Sequence, residues 1–127
     1  MEINKTSEDY LEAMLMMEEQ YGNIRSVDVA EKLNVTKPSV SYMTKKLREN
    51  GYISMDTDGA IILLPAGRAI AEKIYNRHKK LAQFLINLGV NEELAYHDAC
   101  LIEHDLSPEV YQALCDHIDQ MSNPKQQ

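Results

Sequence analysis

Apolar residues recur at helical spacing along most of the chain, and short polar turns interrupt them. Before residue 52 this pattern predicts three helices, over about residues 6–22, 26–33 and 37–51. Thr6-Ser7-Glu8-Asp9 is typical of a helix start, with a hydroxyl cap and carboxylates in the first turn, and we expect Ser26 to cap the second helix. Only about three residues separate the second helix from the third, and Pro38 suits a first helical turn, where its missing N–H would have no partner. The pattern therefore predicts a helix–turn–helix.

Two short β-rich runs follow, Tyr52–Met55 and Ala60–Leu64, and the turn between them ends in Asp58-Gly59, a pair typical of hairpins. Three more helices are predicted over about residues 65–89, 91–104 and 107–121, before a short tail. The apolar stripe of the last helix is predicted to contain Val110, Leu114, Ile118 and Met121. Helix–turn–helix followed by a hairpin is the order of a winged helix–turn–helix, in which the third helix enters the major groove of DNA.

The third helix has two distinct faces on a helical wheel. Val40, Met43, Thr44 and Leu47 share one face and are expected to pack inward. The other face carries hydroxyls that can reach phosphates or base edges and cations that can reach phosphates. The predicted DNA-binding residues are Thr36, Lys37, Pro38, Ser39, Ser41, Tyr42, Lys45 and Lys46. An ordinary amphipathic surface helix would show a similar pattern, and the hairpin tip, with Asp56 and Asp58, offers DNA no cation.

The overall net charge of −7 looks unfavourable for nucleic-acid binding, but the positive and negative charges are separated along the chain. Residues 37–48 contain four cations and no acid, whereas residues 91–119 contain eight carboxylates and no Lys or Arg. The chain has no run of about 18 uncharged apolar residues and no basic start before an apolar run, so we expect neither a membrane span nor a signal peptide. Two cysteines are too few for a disulfide framework, which favours a reduced, cytoplasmic protein.

Cys100, Glu103 and His104 indicate a metal site, because they are spaced i, i+3 and i+4 and so share one helical face. Thiolate, carboxylate and imidazole all bind divalent first-row transition metals. Further candidate ligands are His78 on the long helix and Asp9 and Glu12 on the first helix. Each of these three also has an ordinary interpretation. Asp9 could stabilise the start of its helix, Glu12 could be a solvated surface acid, and His78 could be a surface histidine.

Four stretches closely resemble the iron- and manganese-dependent transcriptional repressors, the family of the diphtheria toxin repressor and the manganese transport regulator. These are SEDYLEAM, SVDVAEKLNVTKPSVSYMTKKLRENGYI, PAGRAIAEKIYNRHKKLAQFL and HDACLIEHDLS. The similarity covers roughly residues 5–120. It implies a mainly α fold, with a winged helix–turn–helix DNA-binding domain at residues 1–64, a helical dimerisation and metal-binding domain at residues 65–122 and a C-terminal tail at residues 123–127. The SH3-like third domain of longer members is expected to be absent.

The resemblance also implies a ligand set for a bound metal ion. Matched position by position, the ligands are Asp9, Glu12, His78, Cys100, Glu103 and His104. Cys100 replaces a bridging Glu of the manganese regulators, while Asp9 is typical of that branch. Because thiolate is the softer donor, this combination favours Fe²⁺ over Mn²⁺, with Zn²⁺ or Co²⁺ able to bind in vitro. Tyr96 and Ala82 replace the His and Glu of the iron branch's ancillary site, which is therefore expected to be absent.

The sequence thus predicts a homodimeric repressor of metal-uptake genes that binds a double-stranded DNA operator with Fe²⁺ or Mn²⁺ as co-repressor, without a small-molecule substrate. One alternative is a winged-helix regulator that senses a small ligand or oxidation of Cys100. Another is a metal-dependent hydrolase, but the chain has no glycine-rich loop, nucleophile motif or cleft-forming insertion, so we expect no enzyme.

Overall fold

The computed structural model describes residues 1–121, apart from the side chain of His104, and this part of the chain is mainly helical. The predicted tail, residues 123–127, lies outside the described residues. The elements are α1 (Lys5–Tyr21), α2 (Ser26–Leu33), α3 (Lys37–Glu49), β1 (Ile53–Met55), β2 (Ile61–Leu63), α4 (Pro65–Asn87), α5 (Glu92–Asp105) and α6 (Pro108–Met121). This order confirms the predicted fold class.

The chain divides into two compact units, Met1–Ile74 and Tyr75–Gln127. The division falls within α4, about ten residues after the domain boundary predicted from the sequence at residues 64 and 65. That boundary, which separates the hairpin from the long helix, stays a prediction.

Helix α1 begins earlier than the sequence pattern suggested. Its N-cap is Asn4, whose side-chain oxygen accepts a hydrogen bond from the Ser7 backbone N–H at 3.0 Å, while Ser7 Oγ accepts one from the Asn4 N–H at 3.0 Å. This reciprocal capping box satisfies two backbone donors. The predicted hydroxyl cap is therefore wrong, because Thr6 and Ser7 both lie inside the helix. The predicted cap of α2 is also one residue off: Arg25 occupies that position, and its side chain makes no capping bond.

The core of the first unit is built from the apolar faces of the three helices and the hairpin. Leu11 and Met14 of α1, Val29 of α2 and Leu47 of α3 are fully buried. Strands β1 and β2 are antiparallel with Ile53 opposite Leu63, and the Ile61 N–H donates to the Ile24 carbonyl at 2.9 Å. The hairpin is therefore hydrogen-bonded to the segment between α1 and α2.

The first turn of α4 lies directly against the backbone of Tyr52, the residue before β1. A Cβ atom at Gly67 would lie only 2.2 Å from the Tyr52 carbonyl oxygen and 3.4 Å from a methyl group of Leu11. A residue with a Cβ atom therefore does not fit at this position. Gly67 is therefore required for the close approach of α4 to Tyr52.

The second unit has its own core, in which α6 inserts one large ring against small residues of the other helices. Tyr111 and Cys115 are buried together with Ala82, Ala95 and Ala99. The predicted stripe of α6 is partly wrong, because its two ends, Val110 and Met121, are 52% and 54% exposed. The buried face is shifted by one residue at its start, since the three alanines leave room for an aromatic ring.

Candidate nucleic-acid interface and candidate metal ligands

The outward face of α3 has the exposure that DNA binding requires. Thr36 caps the helix, with its Oγ1 accepting from the Ser39 N–H at 3.3 Å. The inward face is buried as predicted, since Val40, Met43, Thr44 and Leu47 are all below a tenth exposed. The residues predicted to bind DNA are all exposed: Thr36, Lys37, Pro38, Ser39, Ser41, Tyr42, Lys45 and Lys46.

The two lysines in the middle of this face hold their charges in solvent. Lys46 Nζ lies 4.8 Å from the ring centre of Tyr42, which is 59% exposed. Lys45 Nζ lies 4.0 Å from a carboxylate oxygen of Glu49, and both side chains are more than half exposed. Contacts of this kind contribute about 1 kcal/mol or less. Both ammonium groups can therefore exchange these partners for DNA phosphates.

The side chain of Asp56 stabilises the turn at the tip of the hairpin. The Asp56 carboxylate accepts hydrogen bonds from the Asp58 and Ala60 N–H groups at 2.9 and 3.0 Å. A tip with this turn geometry and two carboxylates has no cation to bind a phosphate. Of these two elements, α3 and not the hairpin tip supplies cations for DNA phosphates.

The two candidate ligands of α1 differ in their exposure. Asp9 is partly buried, but Glu12 is only 8% exposed. The interpretation of Glu12 as a solvated surface acid is therefore wrong. A carboxylate removed from water is costly unless a cation or hydrogen-bond donors compensate it, which fits a ligand role.

In the second unit, the structure brings His78 and Glu103 into contact across two helices. His78 Nε2 of α4 meets a carboxylate oxygen of Glu103 of α5, and the two side chains are 7% and 10% exposed. The interpretation of His78 as a surface histidine is therefore wrong, although Arg77 and Lys79 flank it. Cys100, one helical turn before Glu103, is partly buried and is not part of a disulfide.

These donors fit a divalent transition-metal ion in kind and burial. A buried imidazole and carboxylate from different helices, with a thiol one turn away, are ligands for such ions. The side chain of His104 lies outside the described residues. Within residues 1–121 without that side chain, no group of three or more His, Cys, Asp or Glu side chains converges as a metal site. The full ligand set stays a prediction.

The sequence analysis missed two residues beside this pair, Arg77 and Tyr111. The Arg77 guanidinium carbon lies 4.2 Å from the centre of the Tyr111 ring, which is 1% exposed. Burial is the main cause that raises the pKa of Tyr111, and the neighbouring Cys115 and Glu103 raise it further. A helical stripe drawn through Tyr111, Cys115 and Ile118 would have identified the ring as buried.

Among the described residues, no helix combines the length and the apolar character needed to cross a bilayer. This agrees with the absence of a long apolar run in the sequence.

A winged helix–turn–helix with a cationic reading helix, followed by a helical unit with a buried His–Glu pair, is the arrangement of a metal-dependent, DNA-binding transcriptional regulator. Comparison with known proteins gives the same result. Residues 2–61 match the family described as "Iron dependent repressor, N-terminal DNA binding domain", and residues 64–126 match "Iron dependent repressor, metal binding and dimerisation domain". The chain belongs to the iron-dependent repressor family.

Individual relatives support this assignment. The HTH-type transcriptional regulator MntR of Geobacillus thermodenitrificans (strain NG80-2) is 41% identical over 100 residues, which are 79% of this chain and 71% of the relative. The crystal structure of the metal-dependent transcriptional regulator MtsR matches with a TM-score of 0.72 and 33% identity, over 91% of this chain and 52% of that one. A manganese-dependent transcriptional repressor in complex with manganese matches with a TM-score of 0.71 and 25% identity, over 89% and 52%.

The chain spans about half the length of these two solved relatives. Membership of the family confirms the predictions of a metal-dependent DNA-binding transcriptional regulator, of a winged helix–turn–helix and of a protein that is not an enzyme.

Proposed function

We propose that this protein is a cytoplasmic, homodimeric repressor that binds a double-stranded operator when Fe²⁺ or Mn²⁺ is present, and that it controls metal-uptake genes. The observation that carries the proposal is the buried contact between His78 and Glu103. It lies in the part of the chain that matches a metal-binding and dimerisation domain.

The proposed ligands are Asp9, Glu12, His78, Cys100, Glu103 and His104. Three observations support members of this set: Glu12 is buried, His78 contacts Glu103, and Cys100, which is not part of a disulfide, lies one turn from Glu103. Carboxylate and imidazole suit Mn²⁺ and Fe²⁺, whereas the thiolate of Cys100 favours Fe²⁺, Zn²⁺ or Co²⁺. A relative of known structure binds manganese. We therefore keep both Fe²⁺ and Mn²⁺ as co-repressors.

The outward face of α3 is the proposed DNA-reading surface. Hydroxyls and the Tyr42 ring can reach base edges, and Lys45 and Lys46 can reach phosphates. A two-fold symmetric operator requires two such helices about 34–36 Å apart, one turn of duplex, and hence a dimer. The second unit offers surface for a second copy, because it exposes large apolar side chains: Leu88, Leu94, Leu101, Val110 and Met121.

Metal and operator binding are coupled in this proposal. When bound, the ion supplies positive charge that compensates the buried carboxylates of its ligands. If metal raises the affinity for operator, then operator must raise the affinity for metal by the same factor. The expected factor is about 5–150-fold, the usual range for such coupling.

The test is operator binding titrated with Mn²⁺, Zn²⁺ and Co²⁺, and with Fe²⁺ under anaerobic conditions. Glu103→Ala and His104→Ala should each abolish the metal-dependent increase in operator affinity while the far-ultraviolet circular dichroism stays unchanged. Glu93→Ala is the matched control, because Glu93 is an exposed acid on the same helix. If either ligand variant responds to metal like the wild type, the ligand assignment is wrong. Operator binding that no metal changes would favour a regulator that senses another ligand or oxidation.

A further inference from the structure

We infer that Arg77, held in place by the ring of Tyr111, is a fixed positive charge that lowers the affinity of the neighbouring His78–Glu103 pair for a divalent cation. This inference rests on the proposed function, since it assumes that the pair binds metal. It assigns a role to two residues that are not ligands.

The position of the Arg77 guanidinium is defined by an aromatic contact. Its central carbon lies 4.2 Å from the centre of the Tyr111 ring, and the ring is part of the core formed by α4, α5 and α6. Arg77 Nε is buried and has no hydrogen-bond acceptor among the described residues. A cation over an aromatic face is attracted more strongly when it is shielded from water. The stack therefore fixes the charge against the helices that carry the ligand pair.

The same ring lies within electrostatic range of both charges. The Glu103 carboxylate raises the pKa of Tyr111, whereas the Arg77 guanidinium lowers it. The Arg77 guanidinium and the Glu103 carboxylate thus both act on the phenol of Tyr111, which is buried, and charges near a buried group are poorly screened.

This arrangement has opposite effects in the two states of the protein. Without metal, Arg77 partly balances the charge of the buried Glu103 carboxylate. A bound divalent cation places a second positive charge in the same region, and the repulsion weakens its binding. Arg77 thereby raises the metal concentration at which the protein responds.

The experiment is calorimetric titration of the full chain with Mn²⁺. Arg77→Met and Arg77→Gln remove the charge, and Met keeps an apolar, polarisable contact with the Tyr111 ring. We expect both variants to bind Mn²⁺ about threefold to tenfold more tightly than the wild type. Arg77→Lys, which keeps the charge, should remain within about twofold of the wild type, as should Tyr111→Phe, which keeps the ring.

Lys79→Met is the matched control, because Lys79 Nζ lies 3.9 Å from the ring centre of Tyr75 on the same helix. It removes one positive charge and one aromatic contact beside His78 in the sequence, but not at the Tyr111 ring, and it should leave the Mn²⁺ affinity within about twofold of the wild type. Unchanged or weaker Mn²⁺ binding in both neutral Arg77 variants would overturn the inference and leave the proposed function intact. An equal gain in Mn²⁺ affinity in Lys79→Met would also overturn the inference. A wild-type protein that binds none of the metals tested would instead overturn the proposed function.

Discussion

The contact between Gly67 and Tyr52 leads to a prediction about stability that runs against helix propensity. Replacing glycine by alanine inside a helix normally stabilises it by about 1 kcal/mol. At Gly67, however, the added Cβ would lie 2.2 Å from the Tyr52 carbonyl oxygen, whereas real Cβ contacts are essentially never shorter than 3.0 Å. The backbone of α4 or of Tyr52 must therefore move by at least about 0.8 Å.

The neighbouring hydrogen bond makes this movement costly. The Tyr52 carbonyl also accepts a hydrogen bond from the Leu64 N–H at 3.1 Å, so a shift disturbs the end of the hairpin. Overlap with backbone cannot be relieved by a side-chain rotation, and we set its cost at about 3 kcal/mol, the upper end of the usual range. After subtraction of the gain in helix propensity, Gly67→Ala should lower the free energy of unfolding by about 2 kcal/mol, or the melting temperature by about 8 °C.

The assay is urea unfolding followed by circular dichroism, with a thermal melt as a second measurement. Ala66→Gly is the control, because Ala66 is exposed in the same helical turn. It should cost no more than about 1 kcal/mol, through helix propensity alone. A Gly67→Ala variant as stable as the wild type would refute the close approach of α4 to Tyr52.

Three further predictions concern the metal, DNA and pH. Cys100→Glu should raise Mn²⁺ activation relative to Fe²⁺ and the number of Mn²⁺ ions bound per subunit, because carboxylate replaces the softer thiolate; anaerobic calorimetry showing an unchanged preference and stoichiometry would contradict this. Replacing either Lys45 or Lys46 by Ala should reduce the slope of log operator affinity against log salt concentration by roughly one. An unchanged slope in the variant that lacks both lysines would exclude α3 as the phosphate-contacting helix. Burial raises the pKa of Tyr10 and Tyr111, so the stability they contribute is complete below about pH 10 and is lost as pH rises further. Urea unfolding at several alkaline pH values checks this, and replacing both tyrosines by Phe should flatten the decline.

Local sequence determined the parts of this protein that depend on near neighbours. The order of helices and hairpin follows from periodicity and from turn residues such as Pro38 and Gly59, and the structure confirms it. The two faces of α3 were predicted correctly for the same reason: a helix places residues three and four apart on one side. The cap of α1 at Asn4 is also local, but the hydroxyl and acids at Thr6–Asp9 gave a competing signal.

The tertiary structure decided what depends on residues far apart in sequence. Val110 and Tyr111 each begin an apolar stripe on α6, and only the small alanines of α4 and α5 select the one that contains the aromatic ring. The contact of His78 with Glu103 has the same origin, because the two residues are 25 positions apart and lie on different helices. A sequence pattern identifies such side chains as donors, but only the packing of the helices brings them together and removes them from water.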